Sequence, residues 1–195
     1  RANPRIVLID RVFGVAWGMA DAKKFVERVK SLPFPVVAGA FVARTPISKR
    51  PLLELDRPEL ELTGYLPQGV TLDTMDWLEI VHGAPYGPSP ALLPAFAKLG
   101  HLHYDGYHFR PFLRPRDTRV IPFLPLLAAK EIHFSDDTLV ADGHPLPRLT
   151  DGKALVNLSH PSRFYERVST IRGLLKAARN EAAPTFPPDS VVLIS

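Results

Sequence analysis

The chain has 195 residues, of which 46% are hydrophobic and 23% are charged, so it has the composition of a globular protein that buries a core. Its 24 basic and 20 acidic residues give a net charge of +4 without a continuous basic stripe, so we predict no nucleic-acid partner. The absence of cysteine excludes disulfide bonds, thiolate catalysis and zinc sites built on cysteine.

The start of the chain has the pattern of a β-α-β unit. The apolar run Ile6 to Ile9 ends at Asp10 and is typical of a strand buried in a parallel sheet. From Asp21 onward, apolar residues recur at helical spacing, so we predict an amphipathic helix that is capped by Asp21 and stopped by Pro33. A second buried strand is predicted over residues 35–43. Such a unit pairs its two strands in parallel through a right-handed crossover.

The middle of the chain has less regular patterns. Alternation at 59–67 predicts a half-exposed strand, whereas residues 71–83 fit either a strand or a short helix. The glycines and prolines of residues 83–90 are typical of turns. A helix is predicted from about Pro94, with Gly100 at its end.

The second half continues the alternation of strands and helices. We predict a strand at 101–104, a helix late in 120–132 and an amphipathic helix at 168–179. Ala154 to Leu158 and Val191 to Ile194 are predicted, with the two N-terminal strands, to be core strands. The sequence therefore predicts one domain of the α/β class, with a central, mainly parallel sheet flanked by helices.

The segment 98–110 is rich in histidine, and it has two interpretations. On a strand, His101, His103 and Asp105 would share one face, which would suit a metal-dependent hydrolase. Alternatively, His101 is structural and hydrogen-bonds to backbone or to a carboxylate, while Gly100 allows a close approach of the chain. We favour the structural interpretation because no second cluster of ligands is evident. We predict no metal, no cofactor and no catalytic residue in this chain.

Several segments follow one another in an order that resembles a known family. Near the start, VLIDRVFG is followed by DAKKFVERV, and the second half contains LPAFAKLGHLHY, DGYHFRPFL, IPFLPLLAAKE, HPLPRLTDGKALVNLSHPSRFYERVS and DSVVLIS. These segments resemble the second CHASE family, the extracellular sensory domains associated with cyclases and histidine kinases. His103 and His160 depart from the family pattern, which usually has asparagine and glycine at these positions.

The resemblance implies a sensory role for residues 1–195. The chain would be the extracytoplasmic part of a bacterial inner-membrane receptor, and the output cyclase, diguanylate cyclase or kinase would lie elsewhere in a longer protein. This part would not itself be an enzyme. Its partners would be an unknown small molecule or envelope signal and a second copy in a homodimer.

A ligand pocket is expected at the carboxyl ends of the parallel strands, where open α/β sheets bind ligands. Arg110 is the candidate to clamp an anion, because guanidinium matches carboxylate and phosphate bidentately, although it would otherwise pair with Asp105 or Asp151. The other polar candidates near those strand ends are Asp10, His101, His103, Asn157 and His160.

Overall fold

The computed structural model describes residues 4–13, 18–43, 78–81, 84–104, 108–115, 121–135, 138–147, 153–155 and 189–194. Three predictions lie outside these residues: the strand at 59–67, the turn at Asp151-Gly152 and the helix at 168–179.

The described residues form one α-helix, two 3-10 helices and thirteen strands. The 3-10 helices span Leu93–Ala95 and Leu124–Ala128. In chain order the other elements are β1 (Ile6–Ile9), α1 (Met19–Lys30), β2 (Val36–Ala43), β3 (Leu78–Val81), β4 (Ala84–Tyr86), β5 (Lys98–His101), β6 (His108–Phe109), β7 (Phe112–Pro115), β8 (Ile121–Pro122), β9 (Ile132–Ser135), β10 (Thr138–Ala141), β11 (His144–Pro145), β12 (Ala154–Leu155) and β13 (Val191–Ile194).

A mixed sheet forms the centre of the described fold. Its strands β13, β1, β2 and β5 lie side by side and are all parallel, and β4 pairs antiparallel with the end of β2. In the smaller groups, β7 lies between β3 and β8, β10 lies between β9 and β11, and β12 pairs with β6. The α/β class and the parallel pairing of β1 with β2 are confirmed, but the parallel character is only partial.

The alternation of side chains along β1 and β2 explains how the sheet is buried on both faces. Val7, Val36 and Ala38 belong to a core cluster that includes Ala22 of α1. Ile6, Leu8 and Val37 point the other way and belong to a cluster with Leu124 and Leu127 of the second 3-10 helix. In the described part of the chain, therefore, an α-helix covers one face and a single 3-10 helix contributes to the other, so the predicted flanking by helices is only partly observed.

The predicted cap of α1 is wrong, although the predicted buried face is mostly right. The helix begins at Met19, and Gly18 at its N-cap makes no side-chain capping bond. Asp21 therefore lies in the first turn, where its charge favours the helix dipole. Ala22 is buried as expected, whereas Leu32 follows the C-cap residue and is 37% exposed.

Two predictions between residues 83 and 104 are corrected. The expected helix from Pro94 is only the 3-10 helix Leu93–Ala95, after which Phe96 is extended and β5 begins. Gly100 lies inside β5 and does not end a helix. The segment 83–90 was expected to be a turn, but it contains β4. This strand forms because its residues pair antiparallel with the carboxyl end of β2.

Other strands and helices are confirmed in part. Leu78–Val81 forms a strand, as one of the two alternatives predicted, and β13 lies at the edge of the central sheet. Ala154–Leu155 is a strand, but it pairs antiparallel with β6 outside the central sheet. Residues 101–104 are not a continuous strand, since β5 ends at His101. The helical part of 120–132 is a 3-10 helix between two strands.

No described helix has the length and apolarity needed to cross a membrane.

Candidate ligand site

Two histidines near the carboxyl end of β5 accept hydrogen bonds from the backbone. His101 is the last residue of β5 and is fully buried beside the ring of Phe123. Its Nδ1 accepts a hydrogen bond from the backbone N–H of His103 at 3.2 Å. In turn, Nε2 of His103 accepts one from the N–H of Val42 at 2.8 Å. The prediction that His101 makes a structural hydrogen bond to backbone is confirmed.

Burial keeps the His101 imidazole neutral. The pKa of His101 is lowered from 6.5 to about 3, chiefly because the ring is buried and secondly because His103 lies beside it. Backbone groups of Arg110 and Pro111 raise the pKa but do not offset burial. Nε2 of His101 has no hydrogen-bond partner among the described residues. A neutral ring whose Nδ1 accepts a hydrogen bond has its proton on Nε2.

The same hydrogen bonds count against the metal interpretation. The lone pair of each accepting nitrogen is directed at a backbone N–H, so a metal at that nitrogen would have to displace the bond. Within the described ranges, no three histidine, aspartate or glutamate side chains come close enough to hold an ion. Asp105, the third predicted ligand, lies outside the described residues.

A cavity opens beyond the carboxyl ends of β2 and β5, and we call it the carboxyl-end cavity. Its volume is about 360 Å³. The polar side chains that line it are those of His103, His108, Arg110 and Lys153, together with the exposed Tyr104. It therefore brings together His103 and Arg110, two of the predicted ligand residues.

The walls of this cavity combine positive charge with aromatic rings. Arg110 and Lys153 supply the cations, and the described lining contains no acidic side chain. Phe41 lines the cavity and stacks on Tyr86, with ring centres 5.2 Å apart. Phe109 also lines the cavity, and its ring stacks on the ring of a neighbouring phenylalanine. This arrangement is suited to an anion with a flat apolar body, since the rings are held in place before a ligand arrives.

The other predicted residues do not line this cavity. His101 lies buried behind it, and its contribution is to position the backbone of His103. Asp10 follows β1 as expected, but the described contact it makes is a backbone hydrogen bond from its N–H to the carbonyl of Ile194. Asn157 and His160 lie outside the described residues.

Among the lining residues that were not selected as ligand candidates are His108 and Lys153. His108 belongs to the histidine-rich segment, and its position two residues before Arg110 was the available signal. Lys153 precedes β12, and it reaches the cavity because Ala154 pairs with Phe109. That pairing joins distant parts of the chain and has no local signature.

The location of the cavity agrees only in part with the expectation for open α/β sheets. Two larger described cavities, of about 470 and about 520 Å³, lie at the opposite, amino ends of the parallel strands. Comparisons of the chain with protein-family models, with curated proteins and with solved structures gave no match. The resemblance to the second CHASE family therefore stays a prediction from the sequence.

Proposed function

We propose that residues 1–195 are the extracytoplasmic sensor domain of a bacterial receptor anchored in the inner membrane. The observation that carries this proposal is the carboxyl-end cavity, in which His103, Arg110 and Lys153 meet between aromatic walls. The order of segments that resembles the second CHASE family supports it. The domain binds a signal and catalyses no reaction, and the output cyclase, diguanylate cyclase or kinase belongs to another part of the protein.

The proposed signal is a small anion with a planar or apolar body. A guanidinium group binds a carboxylate through two parallel hydrogen bonds, and an adjacent lysine adds charge without fixing geometry. Stacked phenylalanine rings contribute apolar surface that favours a ligand with a flat body. We also propose that the complete domain has a mainly parallel sheet flanked by helices. The four parallel strands of the central sheet and α1 support this architecture.

The proposed path for the signal runs through the sheet to β13. Strand β13 pairs in parallel with β1, from Ile6 with Val191 to Ile9 with Ile194. A ligand that prefers one arrangement of the sheet, or of a homodimer, shifts the equilibrium of the output enzyme. A coupling of about 1 to 3 kcal/mol would change output by about 5- to 150-fold.

Arg110→Ala is expected to weaken binding of an aromatic carboxylate by about 10- to 100-fold, because a charge-assisted hydrogen bond to a ligand contributes about 1.5 to 3 kcal/mol. Benzoate serves as the probe, and isothermal titration calorimetry measures its affinity. Arg28→Ala is the matched control, since Arg28 is exposed on α1. Equal benzoate affinity in the wild-type protein and the Arg110 variant would exclude Arg110 from the site, and absence of binding to the wild-type protein would contradict the proposed ligand class.

A flexible insertion after residue 195 is expected to disconnect the sensor from its output. Ten glycine and serine residues placed there in the full-length receptor should abolish the response to the signal and leave basal output intact, because a flexible linker does not transmit displacement. Output activity with and without signal is the measurement. Insertion of ten residues of helical sequence at the same place is the control for length. A full response with the flexible insertion, or a gene that encodes no apolar span of about 20 residues beside this domain, would contradict the proposal.

A further inference from the structure

A second cavity, at the opposite end of the sheet, has a cationic wall of its own. We call it the amino-end cavity, because it lies where β1, β2 and β5 begin, and its volume is about 470 Å³. Arg5, Lys98 and Lys130 line it, and Glu131 is the one acidic side chain in its described lining. Its size is that of a site for a small organic molecule.

Two of these cations are already held by one carboxylate. Oδ1 of Asp189 lies 3.1 Å from Nε of Arg5, and Oδ2 of the same side chain contacts Nζ of Lys130. Asp189 is half-exposed, and it is one of the few described non-glycine residues with a positive φ, at 60°. That backbone conformation is uncommon for most residues other than glycine, but aspartate tolerates it.

This carboxylate joins three parts of the fold at the rim of the cavity. Asp189 stands two residues before β13, and the N–H of Arg5 donates to the carbonyl of the next residue, Ser190, at 2.8 Å. Lys130 belongs to the segment before β9, whose backbone is fixed separately because the N–H groups of Lys130 and Glu131 donate to Asp142. The contact between Asp189 and the two cations therefore ties the start of β13 to the start of β1 and to the β9–β11 meander.

The other described residues of the cavity wall are apolar. Ile6, Val37 and Leu127 line it, and they come from β1, β2 and the second 3-10 helix. A ligand in this cavity would thus meet cations at the rim and aliphatic side chains deeper inside. A short aliphatic carboxylate has both parts, an anionic head and an apolar chain, whereas an inorganic anion would leave the apolar wall unused.

We propose that the amino-end cavity binds a small aliphatic carboxylate whose head competes with Asp189 for Arg5 and Lys130. Binding breaks the ion pairs of Asp189 and releases its side chain from Arg5 and Lys130, and no covalent bond changes. Half-exposed ion pairs are weak enough for a ligand to replace them. Lys98 strengthens the site, because it adds a third cation to the same wall. The site does not depend on the sensor role proposed above, since it requires only the cations, the cavity and Asp189.

Competition gives this site an unusual signature: removal of a negative charge from the protein should strengthen binding of an anion. Hexanoate is titrated into the 195-residue protein labelled with ¹⁵N, and the shifts of backbone amide signals give both affinity and position. Asp189→Asn should raise the affinity for hexanoate about two- to fivefold, the size expected when one half-exposed carboxylate no longer competes for the cations. Asp21→Asn, which removes an exposed carboxylate on α1, should leave the affinity unchanged.

A second variant and a second probe make the outcome decisive. Lys98→Met keeps the apolar stem and should weaken hexanoate binding, whereas Lys23→Met on the exposed face of α1 should not. Acetate should bind more weakly than hexanoate, because it lacks the chain that contacts the apolar wall. Unchanged affinity in Asp189→Asn, or amide shifts confined to residues outside the amino-end cavity, would overturn the proposal even if the carboxyl-end cavity binds benzoate as proposed.

Discussion

Replacement of Gly100 by alanine is expected to lower the free energy of unfolding by about 3 kcal/mol, at the upper end of the usual cost of overpacking a core. A Cβ atom on Gly100 would lie 2.5 Å from Cα of Leu124 and 2.9 Å from its backbone nitrogen. These are backbone atoms, so no rotation of a side chain relieves the clash. Either β5 must separate from β2 or the 3-10 helix Leu124–Ala128 must move away from the sheet.

Thermal denaturation followed by circular dichroism measures this effect, and a fall in Tm of about 6 to 12 °C is expected for a chain of this length. Gly18→Ala is the control. An added Cβ there would meet its nearest described atom, Oδ2 of Asp21, at an ordinary 3.7 Å. Its cost should be limited to the loss of a favourable N-cap residue, about 1 kcal/mol or less. Equal Tm values for the two variants would show that β5 and Leu124 are not packed as closely as described.

The sequence predicted the unit β1-α1-β2 well because its signals are local. Ile6–Ile9 and Val36–Ala43 are continuous apolar runs, and the helix between them has an apolar face that recurs at helical spacing. Each of these patterns is complete within a dozen residues, so it does not depend on contacts elsewhere. The position of the N-cap was the exception, since Gly18 offers no side-chain signal and Asp21 does.

Strand β5 was mistaken for the end of a helix because its decisive contacts are not local. The segment 91–100 is apolar with a proline near its start, a pattern that fits a helix and a buried strand equally well. Parallel pairing with β2 decides in favour of the strand, and it places Gly100 beside Gly39. Prediction from sequence did identify Gly100 as a point of close approach, but the partner, Leu124, comes from a distant segment.

The contrast between local signals and contacts of distant segments also explains which residues of the two cavities were predicted and which were missed. His103 was selected because the sequence pattern places it near the end of a strand, and Arg110 because a guanidinium group can clamp an anion. Lys153 was not, since the pairing of β12 with β6 brings it into place. The contacts of Asp189 with Arg5 and Lys130 join three segments that no spacing pattern connects, so they required the three-dimensional arrangement.

A decrease in pH from 7 to 5 is expected to destabilise the protein by about 2 kcal/mol through His101 alone, since each pH unit below the ordinary pKa of 6.5 costs about 1.36 kcal/mol. The pKa of His101 is lowered to about 3 in the folded protein, because the ring is buried, from an ordinary value of 6.5. Below pH 6.5 the unfolded chain takes up a proton that the folded chain does not. The unfolded state is therefore favoured progressively as the pH falls, until the folded protein also binds the proton near pH 3.

His101→Asn isolates this contribution, because asparagine keeps a hydrogen-bond acceptor for the N–H of His103 and does not titrate. The variant should be less stable than the wild-type protein at pH 7, since the smaller side chain leaves space beside Phe123. Its free energy of unfolding, measured with urea at pH 7, 6 and 5, should nevertheless fall less steeply with acid. The range above pH 5 is chosen because Asp142, whose pKa is lowered by the backbone N–H groups of Glu131 and Lys130, loses its stabilising effect only in more acidic solution. Parallel curves for the wild-type protein and His101→Asn would mean that the folded protein takes up a proton on His101 as readily as the unfolded chain, so the pKa of His101 would not be lowered by burial.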